Sequence, residues 1–563
     1  MSQVTRRCLL VIGWLVAGGG MFPCQVATAA EKYDLLIRNG QLVDGTGNPW
    51  FYGDVAVRDG KIAAVGRVSA GDANRVIDAR GLVVAPGFID MHSHSDALLL
   101  EDGKAQSKIR QGVTTEVLGE GDSAGPNQGP QVATSAPTGG KPARWPTLGA
   151  YLDAIDRTGS SVNVVSYVGL NNIWQSVMGT TFDRPTTEQM QQMRDLVDAA
   201  MRDGAWGLSS ALMMPPGSLT TTDDIVALCE VVARHGGIYS THVRNEGSGV
   251  FDSVREAIAI GERAKLPVDV IHLKIADQKY WGRMSELVAL IEAARRRGVN
   301  VQANVYPYTR GNNNLSSIIP PWAHEGGTAK LLERLKDPTL RPRLKRDIQQ
   351  GIDGWYNHYT AVGGDWSRML ISADNRFKGL TMDRVLSLRT EGKANPDALD
   401  ELFELLIEEQ GSVSTVYAHH TEEDMTLTLA QPWCSIGSDG SAYAVEGPLR
   451  RGNPHPRNFG TFPRVLGEYV RERGVLRLED AIRKMTSLNA AKLGLRDRGL
   501  LQAGLAADIT IFDPAKIVDR STYTEPFQYS EGIAYVIVNG QVVLEGTQHT
   551  GALPGRALRH GRD

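Results

Sequence analysis

The sequence is poor in cysteine and carries no large excess of charge of either sign. Of its four cysteines, Cys8 and Cys24 lie among the first thirty residues, which leaves Cys229 and Cys434. Two distant cysteines cannot build a disulfide framework, so we expect two buried free thiols. The net charge is −4, from 60 Lys and Arg against 64 Asp and Glu. Such a balance offers no strongly basic surface, and we therefore expect no nucleic-acid partner.

The sequence also lacks an N-terminal apolar run long enough to anchor it. Residues 8–20 are apolar but too few to cross, as a helix, a membrane of ~30 Å. They follow Arg6-Arg7 and precede the small residues Ala27-Thr28-Ala29-Ala30, which is the pattern of a cleaved export signal. The paired arginines resemble a twin-arginine signal, with an ordinary secretory signal as the alternative. We predict a signal peptide at residues 1–30, a periplasmic or secreted product and no membrane attachment after cleavage.

A nucleotide-binding loop is missing as well. The glycine-rich stretch Gly119 to Gly125 is not followed by Gly-Lys-Ser or Gly-Lys-Thr. The composition, 42% hydrophobic and 22% charged, is instead that of a globular protein with a large core.

Both ends of the chain are rich in short strands. From Tyr33 to Val84, alternating apolar runs are punctuated by Asn39-Gly40 and Asp59-Gly60, which are typical of β-hairpin turns. A similar pattern returns between Ala507 and Val543. We predict that residues 31–85 and 500–563 pair into one small β-sandwich, because neither half could bury a core alone.

The middle of the chain, residues 86–499, alternates short strands with stretches of helical length. This α/β pattern predicts a (β/α)8, or TIM-type, barrel. Residues 309–412 are too long for a simple connection and indicate an inserted subdomain. The eight predicted strands are Phe88–His94, Thr114–Gly119, Val162–Val168, Gly207–Ala211, Ile238–Val243, Val268–Leu273, Val299–Val305 and Cys434–Asp439. Helices are predicted at Thr187–Arg202, Asp223–His235, Val250–Lys265 and Met284–Arg297.

Metal-ligating residue types fall at the carboxyl ends of these strands. His92 and His94 are two residues apart, so on a strand both imidazoles point to the same side. Barrel enzymes keep their active sites at this end of the sheet. Imidazole together with carboxylate suits zinc or another divalent ion. The other candidates at strand ends are Glu120, His242, His272 and Asp439.

With these motifs in place, the chain resembles the amidohydrolase superfamily, and within it the N-acyl-D-amino-acid deacylase (D-aminoacylase) family. The resemblance covers nearly all of the chain after the signal, in order. Its stretches are Ala85–Asp96, Gln111–Glu116, Thr241–Glu246, Ile271–Lys274, Tyr306–Tyr308, Gly437–Gly440, His455–Arg457 and the tail from Ala507 to Gly540.

The resemblance implies a metal-dependent hydrolase of N-acyl-D-amino acids. One ion would be held by His92, His94 and Asp439 and a second by His242 and His272, with one or both sites occupied by zinc or another divalent metal. Asp439 would also move the proton, as general base and then acid. For a small substrate with a free carboxylate, the resemblance implies four binding residues, Lys274, Tyr306, Tyr308 and Arg457.

Two departures from the family pattern leave alternatives open. The family has a metal-ligating cysteine just after the second barrel strand, where this chain has Glu120, with Asp122 in reserve. A tyrosine common in the family is absent near Met214, which indicates a more apolar or differently bound substrate group. Hydrolysis of a dipeptide, cyclic imide or lactone therefore remains an alternative, as does a non-catalytic periplasmic binding protein. The sequence does not determine the oligomeric state.

Overall fold

The computed structural model describes residues 32–68, 73–130 and 145–562. Its centre is a ring of eight parallel strands, numbered here by their order along the chain. The third strand is interrupted at Tyr167, and its two parts pair with the second and the fourth strand. The strands are Phe88–Asp90, Val113–Leu118, Asn163–Ser166 with Val168–Gly169, Gly207–Ala211, Ile238–His242, Val268–Val270, Val301–Val305 and Cys434–Ile436.

The ring closes between the first and the eighth strand. The backbone N–H of Asp439 donates to the carbonyl of His92 at 2.8 Å, and that of His94 donates to Gly440 at 2.9 Å. These two bonds complete the (β/α)8 barrel. They also join the backbones of His92 and Asp439 directly, and the backbone of His94 to the residue after Asp439. The predicted fold class is confirmed.

Helices cover the outside of the ring and begin where the sequence provides caps. Thr186 with Gln189 and Thr221 with Asp224 form reciprocal capping boxes at two helix starts. The four helices predicted from sequence are present with their ends shifted by no more than one or two residues. The helices of the barrel are Leu98–Glu101, Gln106–Ile109, Leu148–Thr158, Leu170–Met178, Thr187–Asp203, Thr222–Arg234, Val250–Ala264, Met284–Arg296, Glu422–Ala430, Arg457–Arg464 (continued by the π-helical Val465–Glu472), Leu478–Met485 and Ser487–Leu493.

The two ends of the chain form one nine-stranded sheet with its own apolar core. The central connection pairs Val83–Pro86 with Ile509–Phe512 in antiparallel register. Asp59-Gly60 makes the expected hairpin turn, but Asn39-Gly40 lies in a bulge inside a continuous strand. A Cβ atom on Gly40 would stand 2.5 Å from Val84, so glycine serves close packing there. The strands are Tyr33–Leu42, Phe51–Arg58, Lys61–Gly66, Ala73–Asp78, Val83–Pro86, Ile509–Phe512, Ile533–Val538, Gln541–Glu545 and Gln548–His549.

An inserted subdomain follows the seventh barrel strand and packs around a separate apolar core. Its three-stranded antiparallel sheet has Ser414–Tyr417 in the middle, between Gly311–Asn314 and Met369–Ile371. The face of this sheet that carries Asn312, Ser372 and Ser414 looks across the mouth of the barrel. The helices of the insertion are Thr328–Lys336, Arg341–Gln350, His358–Ala361, Met382–Thr390 and Ala398–Glu408.

The remaining sequence-based predictions concern the signal peptide, the unit boundaries, the cysteines and membrane attachment. The predicted signal peptide at residues 1–30 lies outside the described residues, and the unit boundaries 31–85, 86–499 and 500–563 stay predictions. Cys229 and Cys434 are buried free thiols, as expected. None of the helices among the described residues has both the length and the apolar character needed to cross a membrane.

Candidate metal centre and substrate cavity

The six candidate ligands meet at the carboxyl ends of the barrel strands. They form two groups of donor atoms, and the atoms of each group lie within 4.8 Å of one another. One group is His92, His94, Glu120 and Asp439, and the other is Glu120, His242 and His272. Glu120 belongs to both, which is the position that a bridging carboxylate requires.

Glu120 provides the central carboxylate. It follows the second strand after Gly119, whose φ of +87° turns the chain into the mouth of the barrel. Glu120 Oε2 contacts His92 Nε2 and lies 3.2 Å from His94 Nε2. Glu120 Oε1 is 3.4 Å from His242 Nδ1 and 3.9 Å from His272 Nε2. Asp122, the reserve candidate, instead accepts a hydrogen bond from Asn171 at 3.0 Å.

Asp439 stands at the end of the eighth strand in an uncommon backbone conformation. Its φ is +51°, a left-handed value that a non-glycine residue keeps only when its surroundings hold it there. The Arg457 guanidinium holds its carboxylate, with Nη1–Oδ2 at 2.6 Å and Nη2–Oδ1 at 2.8 Å. Asp439 Oδ1 also lies 3.0 Å from His94 Nε2.

The two carboxylates of the site are held in their ionised form. Burial raises the pKa of Asp439, but Arg457 and His92 outweigh this and hold the pKa far below its usual range. Burial likewise raises the pKa of Glu120, yet His92 and His242 keep it well below its usual value. Burial together with the charge of Lys274 lowers the pKa of His272 to about 4. The two carboxylates are thus ionised and the imidazole of His272 is neutral, as metal ligands must be. Burial lowers the pKa of His94, but Asp439 and Glu120 outweigh this and raise it to about 10, so this imidazole must release a proton when a metal binds.

Unpartnered atoms give an independent test of this fit. Glu120 Oε1 is buried and has no hydrogen-bond partner among the described residues. A buried carboxylate oxygen without a partner is strongly unfavourable unless a cation meets it. The donors around Glu120 Oε1 are imidazole nitrogens, so the residues present fit a divalent ion such as zinc.

A cavity of about 680 Å³ opens above these ligands, between the barrel and the insertion. His94, Glu120, His242, His272 and Asp439 form its floor together with Arg457. Met213, Met214 and Pro215 form one side, and Asn312, Ser372 and Ser414 of the insertion form the side opposite the barrel. The volume is sufficient for a small molecule.

The four predicted substrate-binding residues occupy different places. Arg457 lines the cavity, whereas the other three do not. Lys274 Nζ lies 2.5 Å from Glu246 Oε1 and 2.8 Å from His272 Nδ1, behind the imidazole. The buried hydroxyl of Tyr306 has no hydrogen-bond partner among the described residues, and that of Tyr308 donates to Asp519 at 3.4 Å. The structure thus brings one of the four to the wall of the cavity.

One site residue was missed by the sequence analysis. Glu246 is 3% exposed, and its Oε1 lies 3.1 Å from His272 Nδ1 and 3.7 Å from His242 Nε2. It therefore lies within hydrogen-bond distance of the outward-facing nitrogen of His272, a frequent arrangement around metal-binding histidines, whereas its distance to His242 Nε2 is too long for a hydrogen bond. A signal was present, because Glu246 follows His242 by four residues in one of the quoted motifs.

Comparison with known proteins identifies the family to which the chain belongs. The family model described as "Amidohydrolase family" matches residues 75–544. A D-aminoacylase from Alcaligenes xylosoxydans xylosoxydans is 35% identical over 532 residues, which are 94% of this chain and 98% of that protein. The chain belongs to the amidohydrolase family, among its N-acyl-D-amino-acid deacylases. This amidohydrolase is therefore an enzyme that hydrolyses carbon–nitrogen bonds, and the predicted family is confirmed.

Two further relatives differ in the substrate that their names give. The N-acyl-D-aspartate deacylase of the same organism is 33% identical over 539 residues, covering 95% of this amidohydrolase and 96% of that protein. The solved structure of N-acyl-D-glutamate deacylase from Bordetella bronchiseptica, in complex with zinc and a phosphonate mimic of the tetrahedral intermediate, is 32% identical. It matches with a TM-score of 0.79 over 94% of this chain and 100% of its own. This amidohydrolase is thus a metal-dependent hydrolase.

Proposed function

We propose that this amidohydrolase hydrolyses the amide bond of N-acyl-D-amino acids, releasing a carboxylic acid and a free D-amino acid. The observation that carries the proposal is the convergence of six metal-binding side chains, five of which form the floor of one cavity together with Arg457. The names of the three relatives support the same substrate class.

The two donor groups that share Glu120 would hold one or two zinc ions, or another divalent metal in the same places. Such an ion lowers the pKa of a water molecule toward ~7 and polarises a carbonyl group. His272 contributes Nε2 to this centre, because its Nδ1 faces Glu246 and Lys274 on the opposite side.

Asp439 would serve as general base and then as general acid. Its carboxylate is ionised and lines the cavity, so it can take the proton of an attacking water. The same carboxyl group would return the proton to the nitrogen that leaves as the amide bond breaks. Arg457 keeps both oxygens of Asp439 oriented toward the floor of the cavity during this exchange.

Arg457 is the strongest candidate for binding the free carboxylate of the substrate. Arg457 is buried and lines the cavity, and because both of its terminal nitrogens contact Asp439, it offers the substrate carboxylate its positive charge rather than a free fork. Its Cζ lies 4.9 Å from the ring centre of Tyr306, and the Tyr306 hydroxyl and Arg457 Nε both lack hydrogen-bond partners among the described residues. For Lys274 and Tyr308, direct contact with substrate stays a prediction.

The walls of the cavity favour a neutral substrate side chain. Met213, Met214 and Pro215 provide apolar contact on one side. Among the lining residues that the structure describes, the only cations besides histidine are two arginines, and both meet a carboxylate. Arg457 binds Asp439, and Arg451 lies 3.3 Å from Glu101. An acidic side chain would have to compete for one of these pairs.

A substrate panel tests the proposal. We expect N-acetyl-D-methionine to be hydrolysed faster than N-acetyl-L-methionine and faster than N-acetyl-D-glutamate or N-acetyl-D-aspartate. His92→Asn, which removes a metal ligand, is the control for contaminating activity. A panel with a D-dipeptide, a cyclic imide or a lactone as the preferred substrate would contradict the proposal and select the corresponding alternative.

We also propose that the enzyme acts outside the cytoplasm. The support is the sequence of residues 1–30, in which Arg6-Arg7, the apolar run and the small-residue site appear in the order of an export signal. A twin-arginine route carries folded proteins, which suits an enzyme that acquires its metal before transport.

A further inference from the structure

A fully buried ammonium lies where the first and the eighth barrel strand meet. Lys108 comes from the helix Gln106–Ile109, and its side chain has no exposed surface. Its Nζ donates to Asp90 Oδ2 at 2.7 Å, to Ser438 Oγ at 2.8 Å and to the carbonyl of Gly440 at 3.1 Å. Lys108 does not line the cavity.

The partners of Lys108 hold the backbone of three metal ligands. Asp90 Oδ1 accepts the N–H of Ser438 at 2.7 Å and that of His92 at 3.3 Å. Ser438 and Gly440 are the two neighbours of Asp439, and the carbonyl of Gly440 accepts the N–H of His94. One ammonium thus ties together the segments that carry His92, His94 and Asp439.

A second buried ammonium has a corresponding place in the other half of the barrel. Lys492 Nζ donates to Asp269 Oδ1 at 2.6 Å and to Ser435 Oγ at 2.8 Å, and its side chain is also fully buried. Asp269 Oδ2 accepts from Asn304 Nδ2 at 2.7 Å. Asn304 Oδ1 in turn accepts the backbone N–H of His272 at 3.0 Å.

His272 depends on such support because its φ is +38°. A non-glycine residue adopts this value only when neighbouring groups hold it. The chain from Lys492 through Asp269 to Asn304 ends on the N–H of that residue, and therefore sets where its imidazole stands.

We propose that Lys108 and Lys492 are positioning residues, each for one half of the metal centre. Lys108 places His92, His94 and Asp439, and Lys492 places His272. The inference rests on the proposed function only in taking these side chains as metal ligands. Buried ammonium groups are retained when their hydrogen bonds are complete, and here the partners of the two ammonium groups lead on to the backbone of the ligands.

The test compares metal affinity, site by site. His242→Asn leaves the group that contains His92, and His92→Asn leaves the group that contains His242. Lys108→Met is introduced into each background, and Co²⁺ affinity is measured by titrating the visible absorption of the bound ion. We expect Lys108→Met to weaken Co²⁺ binding at least about tenfold in the His242→Asn background. In the His92→Asn background it should leave the affinity unchanged within about threefold.

Lys492→Met should give the reverse pattern, with weaker Co²⁺ binding in the His92→Asn background and unchanged affinity in the His242→Asn background. Arg498→Met, which breaks a buried pair with Asp508 beside the terminal sheet, is the control for general destabilisation and should change neither affinity. Where loss of the ammonium prevents folding, Lys108→Met with Asp90→Leu, or Lys492→Met with Asp269→Leu, removes both charges together. Each pair still interrupts the hydrogen-bond chain that leads to the ligands, at Asp90 in the first case and before Asn304 in the second.

Equal losses in both backgrounds, or losses matched by Arg498→Met, would overturn the inference and reduce the lysines to general stabilising groups. Failure of the proposed function is distinguishable from this result. An enzyme with the expected pattern of Co²⁺ affinities and no activity on N-acyl-D-amino acids would contradict the substrate and leave the positioning roles in place.

Discussion

Arg457 binds both carboxylate oxygens of Asp439, with Nη1 at 2.6 Å from Oδ2 and Nη2 at 2.8 Å from Oδ1. The same guanidinium lines the cavity where the carboxylate of a substrate would arrive. In the proposed mechanism, one arginine would therefore orient the proton-transfer group and present positive charge to the substrate. The fork geometry that holds both oxygens of Asp439 is specific to arginine, because lysine offers a single point of charge.

Replacing Arg457 by lysine should lower kcat/KM for N-acetyl-D-methionine by about 10- to 100-fold, because a charge-assisted bidentate contact is lost. Steady-state kinetics should show both a lower kcat and a higher KM. Arg451→Lys, at the rim beside Glu101, is the matched arginine control and should change kcat/KM by less than about threefold. Equal effects of the two substitutions would argue against the dual role.

Asp439→Asn should reduce kcat by about 10²- to 10⁴-fold, since the amide cannot take the proton of the water. Most of the metal should remain, because three other ligands of that group are unchanged. The measurements are kcat and metal content on the same sample. A variant with full metal and undiminished turnover would remove Asp439 from the proton transfer.

Glu120→Gln should remove more metal than any comparable change in the same loop, because Glu120 belongs to both donor groups. Asp122→Asn is the matched control, two residues away and hydrogen-bonded to Asn171 instead. Metal per chain, measured by atomic emission after dialysis, should fall in the first variant and stay at the wild-type value in the second. The opposite order would make Asp122 the ligand.

Changing Arg6 and Arg7 together to lysine should leave the precursor inside the cell if export follows the twin-arginine route. Cell fractionation with an immunoblot distinguishes the precursor from the shortened product. Normal export of the variant would show that the signal is an ordinary secretory one.

Much of the architecture could be predicted because it depends on local patterns of apolar and polar residues. Short apolar runs alternating with helical stretches gave all eight barrel strands, and the position of His92, Glu120 or Asp439 at a strand end predicted a shared site. Parallel strands in a closed ring bring their carboxyl ends to one mouth, so residues far apart in the chain meet there without any further information.

The supporting contacts could not be predicted in the same way. Lys108 meets Ser438 across 330 positions of the chain, and Lys492 meets Asp269 across 223. Neither lysine lies in a local sequence motif from which its contact partner could be predicted. The prediction of a turn at Asn39-Gly40 was wrong for a related reason. Gly40 is needed there because the side chain of Val84, from another strand, leaves no room for a Cβ atom.

Metal dependence of a stereospecific assay tests the central claim most directly. The rates with N-acetyl-D-methionine and N-acetyl-L-methionine are compared for one preparation as purified, after chelation and dialysis, and after addition of zinc. We predict hydrolysis of the D-substrate that disappears on metal removal and returns with zinc, with little hydrolysis of the L-substrate throughout. Undiminished activity in the metal-free protein would contradict the account, and so would a preference for the L-substrate.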